Sequence, residues 1–270
     1  AERQAAAPFP VPPKAHATYE ALLVDKTIEA VYLPLPTALR KQWVIRAAEA
    51  GKHVISEKPC AVSAADLREM LAACRRHRVQ FMDGVMFMHN PRLETLREIL
   101  DDPSRIGPVR RITSVFSFLG TGDFHERNIR VQPGLEPLGC LGDLGWYCLR
   151  FSLWVMRWQM PLRVSGHILA SSADGAPTDF SGELFFADGA SAGFHCSFLA
   201  PNQQWANVSG VHGSLRVPDF VLPSSDNATA WEVNYKPVGK TEAGIYLETG
   251  TTAVAQESLM FRNFASQVRS

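Results

Sequence analysis

The chain has 270 residues, 46% hydrophobic and 20% charged, and its 27 basic and 27 acidic side chains leave no formal net charge. That is globular composition at a length of about two domains. A neutral chain lacks the basic surface that nucleic acid demands. The longest apolar run, from Leu141 to Met156, is broken by Asp143 and Arg150, so no membrane span is expected. Cys60, Cys74, Cys140, Cys148 and Cys196 form no C-x-x-C pattern, and the N-terminal stretch does not read as a signal peptide. A disulfide framework is therefore not expected, and a reducing, cytoplasmic compartment is. The eight histidines show no metal-ligand spacing, so no metal site is expected.

From the N-terminus, residues 1–8 read as the tail of a helix. Thr18 to Asp25 predicts a short helix capped by Thr18. Glu29 to Leu35 is a buried strand, Ala38 to Ala50 an amphipathic helix stopped by Gly51, and Lys52 to Glu57 a second strand. Ser63 caps a helix to about His77, with Asp66 placed as in a capping box. Val79 to Val85 is a third strand. Strands alternating with helices predict βαβ units and a parallel sheet.

The pattern changes after Asn90-Pro91, which reads as a hinge. A helix from Arg92 to about Leu100 precedes strand-like runs at 109–118, 162–170, 180–186, 190–199, 206–217, 230–238 and 244–249. Turns at Asp188-Gly189, His212-Gly213 and Lys240 to Ala243 predict a meander, mostly antiparallel. One long helix, Leu141 to about Trp158, interrupts it, with Phe151, Trp154 and Trp158 expected in the core. The last residues read as an amphipathic helix. Two domains follow, 1–90 and 91–270.

A parallel α/β half raises dinucleotide binding, which would want G-x-G-x-x-G after a first strand. No glycine precedes Gly51. Either no dinucleotide is used, or the chain begins inside the domain, after the first β-α-β; the helix-like start favours the second.

Four segments are candidates for chemistry. Glu57-Lys58-Pro59 ends a parallel strand, where ligands of open sheets bind. Pro59 restricts the backbone of Lys58. Lys58 is either a general acid or base over the crevice or a solvated surface lysine. In the run from Gly139 to Tyr147, Asp143 and Tyr147 are four apart on one helix face, and Gly139, Gly142 and Gly145 leave a bare strip for a ligand or for packing. Leu33-Pro34-Leu35-Pro36-Thr37 is either a loop under a nicotinamide ring or a plain turn with Thr37 capping the helix. The polar loop from Phe124 to Arg130, with Asn128 and Arg130, either reaches substrate hydroxyls or is simply solvated.

SEKP at 56–59, LPLPTALRKQW at 33–43 and AAEAGKH at 47–53 resemble the Gfo/Idh/MocA oxidoreductase family. VQFMDGVMFMHNPR at 79–92, IGPVRRITSVFSF at 106–118 and LGDLGWY at 141–147 are similar to its branch of dimeric dihydrodiol dehydrogenases and NADP-dependent D-xylose dehydrogenases. The resemblance implies an α/β fold: an incomplete Rossmann domain, its first β-α-β missing, plus a C-terminal α+β domain with an open, mostly antiparallel sheet. It implies that Lys58 and Tyr147 are catalytic, with Asp143 beside them. It sets Leu35, Pro36, Thr37 and Glu57 against NADP or NAD, and Arg130 and Asn128 toward a sugar or diol. It also implies a homodimer. Arg40 stands where the family often has histidine. The expected activity is hydride transfer between nicotinamide and a hydroxyl-bearing carbon. The competing readings are a non-catalytic fragment or pseudoenzyme that dimerises or binds sugar, and NAD-assisted glycoside cleavage.

Overall fold

The computed structural model describes residues 14–223, 228–236, 239, 241–242, 244–251 and 254–270. Residues 1–8 lie outside this set, as do both ends of the turn expected from Lys240 to Ala243. The first part is a three-stranded parallel sheet in the order β1 (Ala30–Leu33), β2 (His53–Glu57), β3 (Phe81–Gly84). Helix α1 (Tyr19–Val24) precedes it, α2 (Thr37–Glu49) joins β1 to β2, and α3 (Ala64–Arg76) joins β2 to β3. The caps form as their residue types dictate. Thr18 Oγ1 accepts from the Ala21 amide at 3.0 Å, and Ser63 Oγ accepts from Asp66 N at 3.1 Å while donating to the Asp66 carboxylate at 2.9 Å. Val31, Val44, Val54, Met70 and Cys74 form the core beneath this sheet.

Helix α4 (Arg92–Asp101) leads into an eight-stranded sheet. Its strands are β4 (Val109–Ser117), β5 (Arg163–Ser171), β6 (Pro177–Phe185), β7 (Ser191–Ser197), β8 (Gln203–Gly210), β9 (Gly213–Val217), β10 (Ala228–Tyr235) and β11 (Gly244–Thr251), ordered β11-β10-β9-β8-β4-β7-β6-β5. The sheet is mostly antiparallel, but it is not the plain meander the turns predict. β4 sits between β8 and β7 and runs parallel to β7, from Arg111 opposite Ser191 to Ser117 opposite Ser197. The alternation of β4 buries Ile112, Ser114 and Phe116 and so defines its face, but a period of two says nothing about which strand lies alongside. The run read as one strand from Ala206 to Val217 is the β8–β9 hairpin.

The long helix also differs from expectation. Phe124–Arg127 form the short helix α5, residues Leu141–Gly145 form a π turn, and α6 covers Trp146–Val155. It stops there because Arg157 and Trp158 take left-handed backbone angles of 53° and 63°, and Trp158 N closes the end onto Leu153 O at 2.7 Å. Trp158 is consequently half exposed, whereas Phe151 and Trp154 are buried as expected. α6 packs on the large sheet in a core that includes Ile112, Phe194, Val208 and Leu215.

Helix α7 (Gln256–Arg269) returns to the first sheet, where Met260 and Phe264 bury against Ile55 and Met82. Burying two such side chains contributes about 3–6 kcal/mol and fastens the chain's end to its beginning. The Asn90 junction is buried and bonded: Asn90 Nδ2 donates to Gln256 Oε1 at 3.3 Å, and Gln256 Nε2 donates to Val221 O at 2.9 Å. A hinge at that point would have to break this network.

Candidate active site

The strands β1 and β2 end at Leu33 and Glu57. Their carboxyl ends, with the loop from Pro34 to Pro36 and residues Ile129 and Arg130 of the second part, enclose a crevice of about 340 Å³. This is the position at which open parallel sheets take ligands. Lys58 follows β2 directly, joined to Pro59 by a cis peptide. Its Nζ donates to the Asp143 carboxylate at 2.6 Å and to the Asp143 carbonyl at 2.7 Å. The other Asp143 oxygen accepts from Arg130 Nε at 2.8 Å. Lys58 is thus no free surface side chain: only 12% of it is exposed, against 43% of Arg130.

Burial by itself would push the Asp143 carboxyl up. The charges of Lys58 and Arg130, with their hydrogen bonds, outweigh that and hold it below the ordinary range. A carboxylate depressed in the folded state contributes stability above its unfolded pKa of about 3.9, and that contribution is lost as pH falls through the folded value. Asp143→Asn is therefore expected to lower the urea midpoint at neutral pH and to differ less from wild type near pH ~3. An equal deficit at both pH values would contradict this.

Tyr147 lies below. Its ring faces the ammonium, with Lys58 Nζ 4.8 Å from the centroid. Its hydroxyl donates instead to the Met86 sulfur at 3.6 Å, and its ring packs edge-on against Phe116. Burial, then the negative charges of Asp143 and Glu57, push the phenol far above its usual range. The structure thus unites Lys58, Asp143 and Tyr147, but ammonium meets ring face rather than phenol oxygen.

The remaining expected residues divide. Leu35, Pro36, Glu57 and Arg130 line the crevice. Glu57 accepts from the Tyr32 hydroxyl and from the Lys58 amide at 3.2 Å. Thr37 is buried and gives both its amide and its hydroxyl to the Glu136 carboxylate. Asn128 serves its own backbone, accepting from Arg130 N at 3.0 Å, and so positions Arg130. The glycine strip serves packing. A Cβ at Gly139 would collide with the Pro177 carbonyl, and one at Gly142 would press on Leu138 and Pro59. Arg40 is buried in the wall of the crevice, donating to the carbonyls of Leu35 and Pro59.

Tyr32 and Glu136 went unread in the sequence. Tyr32 had a signal: it is the penultimate residue of a strand whose carboxyl end faces the site. Glu136 had none, lying in an irregular loop 99 residues from its partner.

The donor set suits the reactive end of a nicotinamide dinucleotide: an ammonium at the rim, an apolar wall from Pro34, Leu35 and Pro36, and the Glu57 carboxylate. No G-x-G-x-x-G for the pyrophosphate occurs in this sequence.

A parallel α/β layer with a crevice at its carboxyl edge, closed by an open-sheet half, defines a two-part oxidoreductase architecture. The family model described as "Oxidoreductase family, NAD-binding Rossmann fold" matches residues 1–85, and the "GFO/IDH/MocA C-terminal domain" matches residues 93–216. The chain belongs to the Gfo/Idh/MocA oxidoreductase family.

It is 33% identical over 234 residues to D-xylose 1-dehydrogenase (NADP(+)) 2 of Haloferax volcanii, covering 84% of this chain and 67% of that protein. It is 32% identical over 209 residues to trans-1,2-dihydrobenzene-1,2-diol dehydrogenase of Bos taurus, covering 77% and 60%. It is also 31% identical over 236 residues to dTDP-3,4-didehydro-2,6-dideoxy-alpha-D-glucose 3-reductase of Streptomyces violaceoruber, covering 78% and 67%. The chain therefore spans 60% to 67% of the length of these relatives. In fold it is similar to a 3-ketoreductase from Actinomadura kijaniata crystallised with NADP and TDP-benzene, at a TM-score of 0.82 and 23% identity, covering 93% of this chain and 74% of that one.

Proposed function

We propose that the protein is an NAD(P)-dependent dehydrogenase acting at a hydroxyl-bearing carbon of a neutral sugar or cyclic diol, with residues 1–90 serving the cofactor and residues 91–270 the substrate. The observation that carries this reading is the Lys58 ammonium, held by Asp143 at the carboxyl edge of the parallel sheet. The nicotinamide, when bound, supplies the hydride or takes it. Lys58 Nζ stands where a substrate oxygen gains or loses its proton. Asp143 fixes its direction through two acceptors, and Arg130 shares the same carboxylate from the crevice side. Tyr147 supports the ammonium through its ring, and its hydroxyl is the second proton-bearing group of the cluster.

The charges favour a neutral substrate. Lys58, Arg130 and Arg40 line the crevice, and so do Asp143, Glu57 and Glu136. Lys58 and Arg130 both pair with Asp143, while Arg40 lies 3.9 Å from Glu136. Among the described residues, no cation of this crevice is left over for a diphosphate, which favours a neutral substrate over a nucleotide-sugar. The intact cluster also speaks against a non-catalytic binding module. The five cysteines are buried and free, which fits a reducing cytoplasm. Val164, Ile168 and Leu169, exposed on β5, support a homodimer built on the large sheet.

Turnover of NADP+ or NAD+ with free aldoses, cyclic vicinal diols and thymidine-diphosphosugars tests the assignment. Activity on the neutral compounds is expected. Activity on the diphosphosugars alone would overturn the substrate class.

A further inference from the structure

Helix α2 begins at the crevice without a side-chain cap of its own, since its N-cap is Pro36. Its first amides are satisfied from the second part of the chain. Thr37 N donates to Glu136 Oε1 at 3.0 Å, the Thr37 hydroxyl donates to Glu136 Oε2, and Ala38 N donates to Leu135 O at 3.0 Å. A carboxylate at this point also meets the positive end of the helix dipole. Behind it, Arg40 ties the same helix to the carbonyls of Leu35 and Pro59.

The segment bearing Glu136 runs without interruption from Arg130 to Asp143. Leu135 N and Glu136 N both donate to Gln132 O, at 3.0 and 2.8 Å, Gly139 N donates to Glu136 O at 3.0 Å, and Gly142 N donates to Leu138 O at 3.1 Å. Chained turns of this kind transmit position along the segment. Of the two groups placed by this segment, Asp143 holds the Lys58 ammonium, and Arg130 holds the other oxygen of Asp143.

We propose that Glu136 is a positioning residue: its carboxylate latches the 129–145 segment onto the N-terminus of α2 and so sets Asp143 and Arg130 in register with Lys58. The bearing of this latch on catalysis rests on the reading of the crevice given above. The latch itself does not, so its test needs no turnover.

The test is the acylation rate of individual lysines by limiting acetic anhydride, read by peptide mass mapping of the folded protein. Lys52 is the internal reference, because it is buried at a distance from the latch and donates to the carbonyls of Asp25 and Ile28 at 2.8 Å. Glu136→Ala is expected to raise Lys58 acylation about fivefold to tenfold, the equivalent of one lost helix cap, with Lys52 unchanged. Glu136→Gln keeps an acceptor for the Thr37 amide and is expected to give a smaller rise. Should Glu136→Ala not fold, Glu136→Gln and Thr37→Val give the same reading. A Lys58 rate within about twofold of wild type in Glu136→Ala, or in Thr37→Val should Glu136→Ala not fold, would overturn the proposal. So would Lys52 rising in step with Lys58, which would mark Glu136 as a support of general stability.

Discussion

Lys58→Ala is expected to lower kcat by about 10²- to 10⁴-fold, the range for losing a positioned acid or base, and to lower the thermal midpoint in part, because the buried Asp143 carboxylate loses one of its two cations. The fold tolerates the change because Asp143 keeps Arg130 on its second oxygen and Tyr147 keeps its packing against Phe116. Lys58→Arg is expected not to rescue. A planar guanidinium spreads its donors over a fork and does not reproduce a point ammonium that serves one carboxylate oxygen and one carbonyl together. Tyr147→Phe keeps the ring beneath the ammonium and removes only the hydroxyl, so the share of the loss it reproduces measures what that hydroxyl does. Wild-type turnover in Lys58→Ala would remove the chemical basis of the assignment.

Arg92→Ala is expected to destabilise the protein by about 3–5 kcal/mol, the usual penalty for breaking a buried ion pair from one side. Arg92 opens α4 with 1% of its side chain exposed. It donates to the Asp219 carboxylate at 2.9 Å and to the carbonyls of Asp219 and Phe220 at 2.8 and 2.7 Å. All three bonds hold the 219–220 segment against the helix that follows the junction. Arg92→Lys keeps the charge but not the three-way geometry and is expected to fall between. Equilibrium urea unfolding checks both, and a loss below about 1 kcal/mol for Arg92→Ala would contradict the account.

The first sheet was legible because its order is local. Strands and helices alternate along the chain, and Thr18, Ser63 and Gly51 mark helix boundaries within a residue or two. The second sheet was legible in its strands and not in its order, because placing β4 beside β7 is a pairing between distant segments. The site divided in the same way. Lys58 and Asp143 carry local signatures, a proline-locked strand end and a glycine-rich helix start, and both could be picked out. What joins them is tertiary: the direction of the Tyr147 hydroxyl toward Met86, the use of the glycine strip for packing on Pro177 and Pro59, and the capping of α2 by Glu136. None of these leaves a trace in periodicity or composition.

The central claim is that hydride passes between substrate carbon and nicotinamide in a crevice whose proton is managed at Lys58. Its most direct test is isotopic: a sugar or diol deuterated at the carbinol carbon is turned over with NADP+ or NAD+, and the label is located by NMR. The account predicts deuterium on the reactive carbon of the nicotinamide ring, with transfer suppressed in Lys58→Ala. Deuterium released to water, with none on the ring, would contradict it.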